Sequence, residues 1–161
     1  PATGHTAPIH EYDEDDWDLM IDVLLKGVWL GMKYEIQQML EQGGGTIVNT
    51  SSIAGLIGRP NACAYVAAKH GVLGLTKTAA LEYGKQGIRV NAVCPAQIQT
   101  PRMGFIVARD PGFLQRETPK HAIGRIGEPQ EVAEAVVWLC SDAASFVTGH
   151  AMAVDGGYLA D

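Results

Sequence analysis

No segment of this 161-residue chain is apolar for the roughly 18 residues that a membrane span requires. Its start shows no basic stretch followed by an apolar one, so neither a membrane partner nor a secretion signal is expected, and a cytoplasmic location is. Basic residues are scarce. Twelve Lys and Arg stand against 18 Asp and Glu, a net charge of -6 with a pI near 5.3. Binding to a phosphate backbone needs a basic surface, which argues against nucleic acid. Cysteine is limited to Cys63, Cys94 and Cys140, with no Cys-x-x-Cys pair. That pattern reads as free, buried thiols in a reducing compartment. His5, His10, His70, His121 and His150 lack metal-ligand spacing, so no metal is expected. There is no Walker sequence and no internal repeat. No Gly-x-Gly-x-x-Gly follows a strand and opens a helix. Gly43-Gly44-Gly45 does the reverse and reads as a turn.

What is present suffices for a core: 47% of residues are apolar and 19% charged, the profile of one folded domain. Asp13, Glu14, Asp15 and Asp16 precede Trp17. Carboxylates there complement a helix N-terminus, and an acidic ligand or metal site is the other reading. Met20, Val23, Leu24, Gly27, Val28, Gly31, Tyr34 and Met39 recur near the helical period, predicting a helix from about Asp15 to Glu41. The β-branched run Thr46–Thr50 predicts a strand. A loop from Ser51 to Asn61 follows, then a helix from about Ala64 to Tyr83. That helix carries many small residues on the face of Val72, Thr76, Ala79 and Ala80, open to a partner helix as well as to the sheet. Ile88–Cys94 predicts a second strand, halted by Pro95. Residues 96–128 read as a long, Pro/Gly-punctuated connection, too long for a simple link, and so a lid or substrate loop. Pro129 opens a third helix, and Ala151–Val154 predicts a third strand, ended by Gly156-Gly157. Strands alternating with helices imply parallel βαβ units. Asn49-Thr50-Ser51 matches a glycosylation sequon, read here as chance.

The chemistry is concentrated in Ser52, Tyr65 and Lys69. Residues four apart on a helix share a face, so the Lys69 ammonium can lie beside the Tyr65 phenol. A neighbouring positive charge favours phenolate and suits a tyrosine to proton exchange. Ser52, thirteen residues earlier, offers a neutral hydroxyl donor.

Thr46-Ile-Val-Asn-Thr-Ser-Ser-Ile-Ala-Gly55, Tyr65-x-x-x-Lys69, Asn91-Ala-Val-Cys-Pro95 and Val154-Asp-Gly-Gly157, in that order, resemble the short-chain dehydrogenase/reductase family. Trp17-Asp18 and Lys26-Gly27-Val28-Trp29 fit the helix that precedes its catalytic strand. The resemblance covers nearly the whole chain. It implies an α/β fold, the C-terminal part of a Rossmann-type doubly wound parallel sheet, with three parallel strands and flanking helices. Residues 1–161 would form a single partial domain carrying the catalytic portion. It also implies NAD or NADP, an alcohol or ketone as the small-molecule substrate, and a homo-oligomer. Under it, Ser52 hydrogen-bonds the substrate oxygen, Tyr65 is the general acid/base, and Lys69 tunes the tyrosine and binds the nicotinamide ribose. Ser51 is a structural neighbour. Pro95, Ile98 and Thr100 fall in the segment that contacts the nicotinamide amide, although Thr100 before Pro101 also reads as a helix cap. Met103, Phe105, Ile106, Phe113 and Leu114 line an apolar substrate pocket or simply pack the loop.

The sequence departs from the family pattern in three respects. Leu24 stands where the family has an asparagine that serves a proton relay. Ala96 stands where it has glycine, a strained exchange if that position needs positive φ. The family's Gly-rich first half, which holds the pyrophosphate, has no counterpart here, leaving the Thr46–Thr50 strand as an open edge. The alternative expectation is a truncated, inactive fragment that serves as an interaction or scaffold subunit.

Overall fold

The computed structural model describes residues 6–160. The reading of residues 1–12 as irregular therefore falls partly outside the described residues, as does His5. After Pro8 comes a 3-10 turn over Ile9–Glu11. Helix α1 (Glu14–Ile21) is capped by Asp13, whose side chain accepts from the Asp16 amide at 3.0 Å. The acidic run thus starts a helix. One π-helical turn (Asp22–Lys26) leads into α2 (Gly27–Gln42), so the predicted long helix contains a local irregularity. Leu24 sits in the middle of that turn, half-buried. The buried residues of the pair are Met20, Met32 and Ile36, whereas Val23 and Tyr34, part of the recurring set, are exposed.

Gly43 stops α2 at a φ of 86°, in the left-handed region where only glycine is unstrained. Strand β1 (Gly45–Thr50) follows, then a 3-10 turn over Ile53–Gly55, and α3 (Cys63–Tyr83). Strand β2 (Ile88–Pro95) pairs in parallel with β1, in the register Thr50 to Val93. Strand β3 (Ala151–Val154) pairs in parallel with β2, giving the order β1-β2-β3. The central strand is covered on both faces and is therefore almost continuously buried. Its Ile88 and Val90 join Met32 and Ile36 of α2 and Ala79 and Ala80 of α3 in one core. Ala92 and Cys94 extend that side against Leu73. The small face of α3 is therefore occupied by its own chain, because the sheet takes the close approach that those residues permit.

The other face of β2 meets α6 (Pro129–Cys140). Arg89 reaches across to the end of that helix and donates to the carbonyls of Leu139 (2.8 Å), Ser141 (3.1 Å) and Val147 (3.2 Å). A guanidinium at this position satisfies carbonyls that have no helical partner and opposes the negative end of the helix dipole. Asn91, fully buried, donates to the Val147 carbonyl at 2.8 Å and accepts from the His150 amide at 3.0 Å, which fixes the approach to β3. Residues 96–128, expected as a long lid or substrate loop, contain α4 (Pro101–Arg109) and α5 (Phe113–Glu117). Pro101 and Gly112 open these helices where the sequence pattern reads punctuation. Of the cysteines only Cys94 is buried; Cys63 is half-buried and Cys140 exposed, which corrects the expectation for those two. Cys140 closes α6 on its solvent side. No helix among the described residues is long and apolar enough to cross a membrane. No cluster of His, Cys, Asp or Glu there could hold a metal ion.

Candidate active site

The end of β1 carries the first wall of the site. The Ser51 amide prolongs the parallel ladder by donating to Val93 at 2.8 Å, and its hydroxyl donates to the Lys69 carbonyl at 2.9 Å. Ser51 is thus a structural pin between strand and helix. Ser52 caps the following 3-10 turn, its oxygen accepting from the Ala54 amide at 3.2 Å. That bond uses a lone pair and leaves the hydroxyl proton free to donate. Gly55 closes the turn with its backbone against the Lys69 carbonyl, where a side chain would collide.

Helix α3 brings Tyr65 and Lys69 to the same place. Tyr65 lies in its first turn, half-buried, and lines a cleft of about 600 Å³ together with Ser52, Ala96, Gln97, Ile98 and Thr100. Lys69 is buried behind the tyrosine and does not line the cleft. Its Nζ lies 5.9 Å from the Tyr65 ring centroid and donates to the Thr50 carbonyl at 2.8 Å. Charge and ring are close enough for a cation–π contact. Burial pushes the ammonium below the ordinary lysine range, with Cys94 nearby working weakly against that shift. The Cys94 thiol is pushed up, also by burial, although contacts with Ser51, Ser52 and Lys69 favour its anion.

The opposite wall begins after β2. Hydrogen bonds from the Gln99 amide to Gly127 (2.8 Å) and from the Gly127 amide to Gln97 (2.9 Å) clip the chain on both sides of Ile98. Ala96 takes no left-handed conformation, since Asn61 is the one non-glycine with positive φ among the described residues. The alanine therefore costs no backbone strain. Thr100 caps α4, accepting from the Met103 amide at 3.4 Å, and also faces the cleft, so both readings of it hold geometrically. Pro95 does not line the cleft. Among the predicted apolar residues, Met103, Ile106 and Phe113 line it; Phe105 is exposed, and Leu114, half-buried, does not line it. Residues 102, 103, 106 and 109 recur at helical spacing, the signal that identifies α4 and its cleft face. Arg59, Arg102 and Arg109 also reach the cleft, and the sequence reading missed them. Arg59 sits in an irregular loop, where no periodicity marks the inward side.

A family model described as enoyl-(acyl carrier protein) reductase matches residues 2–159. Cyclohexanol dehydrogenase of Acinetobacter sp. (strain SE19) is 51% identical over 156 residues, covering 96% of this chain and 59% of that protein. The 2,5-dichloro-2,5-cyclohexadiene-1,4-diol dehydrogenase of Sphingobium indicum (strain B90A) is 47% identical over 154 residues, covering 95% and 62%. Among solved structures, a putative 2-deoxy-D-gluconate 3-dehydrogenase from Agrobacterium tumefaciens with bound NADP superposes with a TM-score of 0.92 at 36% identity, covering 97% of this chain and 63% of that one. The chain thus spans about three fifths of the length of these relatives.

Proposed function

This chain belongs to the short-chain dehydrogenase/reductase family, and we propose that it carries the catalytic portion of an NAD- or NADP-dependent oxidoreductase that interconverts an alcohol and a ketone. The observation that supports this most is the shared cleft: Ser52 and Tyr65 face it from one side, Ile98 and Thr100 from the other, and the Lys69 ammonium is buried behind the tyrosine. Residues 1–161 are read as one Rossmann-type unit, working in the cytoplasm as a homo-oligomer. Cyclic secondary alcohols are a suitable first substrate class, since cyclohexanol is the substrate in the name of one relative.

The residues fit the nicotinamide end of such a cofactor. The cleft opens beyond the carboxyl ends of β1 and β2, where open α/β sheets bind ligands. Ile98 is held by its backbone clip and Thr100 offers a hydroxyl; no Gly-rich loop among these residues would hold the pyrophosphate. When bound, the nicotinamide supplies or accepts the hydride. The chain's own part is proton handling. Ser52, its oxygen lone pair engaged by Ala54, donates its hydroxyl proton to the substrate oxygen. Tyr65 gives a proton to that oxygen in reduction or takes one in oxidation. Lys69 places its ammonium 5.9 Å from the Tyr65 ring centroid, behind the group that exchanges the proton. Leu24 cannot hydrogen-bond, so it supplies no link in a proton relay, and the Lys69 ammonium donates instead to the Thr50 carbonyl.

The test is formation of reduced nicotinamide from cyclohexanol by the protein that carries this sequence, compared with its Tyr65→Phe variant. Loss of the hydroxyl should lower turnover by about 100-fold or more, with cofactor binding retained. Turnover within a few-fold of wild type would remove Tyr65 from this role.

A further inference from the structure

The same cleft holds an excess of positive charge that proton transfer does not use. Three of the chain's six arginines, Arg59, Arg102 and Arg109, line it, in a protein whose net charge is -6. The remaining three are engaged elsewhere: Arg89 on main-chain carbonyls, Arg116 on Asp110, and Arg125 on Glu131. None of the cleft arginines has an ion-pair partner among the described residues. Asp110 is the one carboxylate lining the cleft among those residues, and its charge is already matched by Arg116. Helix stability accounts for Arg109 in the last turn of α4, but not for Arg102. A cation in the first turn opposes the helix dipole. Both arginines lie on the helix face that also presents Met103 and Ile106 to the cleft. Arg59 approaches from the loop between β1 and α3.

We propose that this cleft selects an organic anion: a hydroxy or keto compound with a compact apolar body and a carboxylate, or a group of like charge, held by Arg59, Arg102 and Arg109. This rests on the dehydrogenase reading for the orientation of the reacting oxygen toward Ser52 and Tyr65. The apolar body lies against Met103, Ile106 and Phe113. Guanidinium groups bind such anions through paired, charge-assisted hydrogen bonds, which an uncharged analogue of the same shape cannot form.

Calorimetric titration of the purified protein with 4-oxocyclohexanecarboxylate and with the matching carboxamide tests this without requiring turnover. The carboxylate should bind at least about tenfold more tightly, and added salt should shrink that advantage. The combined Arg59→Gln, Arg102→Gln, Arg109→Gln variant should abolish it, and the corresponding triple lysine variant should keep part of it. Equal binding of the two probes, no binding of either, or a preference that survives the glutamine variant overturns the proposal. Displacement of the carboxylate by inorganic pyrophosphate at lower concentration than by acetate also overturns it, because the arginines would then serve cofactor phosphates. A carboxylate preference without hydride transfer would leave the anion site standing and defeat the dehydrogenase reading. Oxidation of cyclohexanol without a carboxylate preference would do the opposite.

Discussion

Replacing Gly55 with alanine should loosen the joint that sets Ser52 against α3. A Cβ built on Gly55 lies 2.8 Å from the Lys69 carbonyl oxygen and 3.1 Å from its carbon, and overlaps the Ser51 hydroxyl. Side-chain carbons do not approach a carbonyl oxygen so closely, and this one is fixed in the backbone of α3. Either the 3-10 turn withdraws, or Ser51 rotates and forfeits its 2.9 Å bond to Lys69. Overpacking of this kind costs about 1–3 kcal/mol. Leaving a buried polar group without its partner costs about 1–3 kcal/mol more. The reduced entropy of the unfolded alanine chain returns roughly 0.4–1 kcal/mol. The net loss is therefore roughly 1–5 kcal/mol, toward the lower end if only one of the two costs is incurred, and large against a typical total of about 5–15 kcal/mol. Urea unfolding of wild type, Gly55→Ala, Ser51→Ala and the double variant measures it. Ser51→Ala vacates the space that the new methyl needs, so the double variant should lose about 1 kcal/mol less than the sum of the singles. Some cost must remain, because the Lys69 carbonyl does not move. A loss below about 0.5 kcal/mol for Gly55→Ala, or strict additivity, would show that the joint is not close-packed.

Asn91→Ala should cost about 2–4 kcal/mol in the same assay, since it strands both the Val147 carbonyl and the His150 amide in a buried position; a change under about 1 kcal/mol would refute the reading of Asn91 as a two-ended tie. Burial lowers the pKa of Lys69 below its unfolded value of about 10.4. Between those two values the unfolded chain holds more protons, so stability rises with pH through that window and is lost as pH falls through the folded value. Unfolding free energies taken from neutral to alkaline pH should therefore grow for wild type relative to Lys69→Met; a flat difference would mean that the ammonium pays no desolvation cost. In thiol labelling, Cys140 should react at once, whereas Cys94, fully buried with its thiol pKa raised, should react only at the rate of global unfolding. Rapid labelling of Cys94 would indicate local opening beneath Ser52.

The sequence alone carries much of the fold. The β-branched run before Thr50, the Gly43–Gly45 stop and the proline at 129 locate their elements within a residue or two, because each acts through local backbone preference. The helices within residues 96–128 are hidden for the complementary reason. Pro101 and Gly112 mark helix starts there, and a helix start has the same composition as a loop. The π turn in the first long helix was also hidden, as was the exposure of Val23 and Tyr34. One wider turn leaves no compositional trace, yet it rotates every side chain that follows.

For the site the division is sharper. Ser52, Tyr65 and Lys69 were identifiable from order and spacing, since helical periodicity alone sets Tyr65 and Lys69 on one face and the strand-to-loop change marks the serine. Tertiary structure decided what each one touches. Lys69 reaches Thr50 because β1 ends beneath α3, and burial there, not sequence, shifts its proton affinity. Thr100 both caps α4 and faces the cleft because the Gly127 clip fixes the chain just before it. The convergence of Arg59, Arg102 and Arg109 on one cleft joins a loop after β1 to a helix after β2, some forty residues apart. Local preferences act over a few residues along the chain, whereas charge acts through space. The spacing of Ser52, Tyr65 and Lys69 could therefore be read in one dimension, and the meeting of the three arginines only in three.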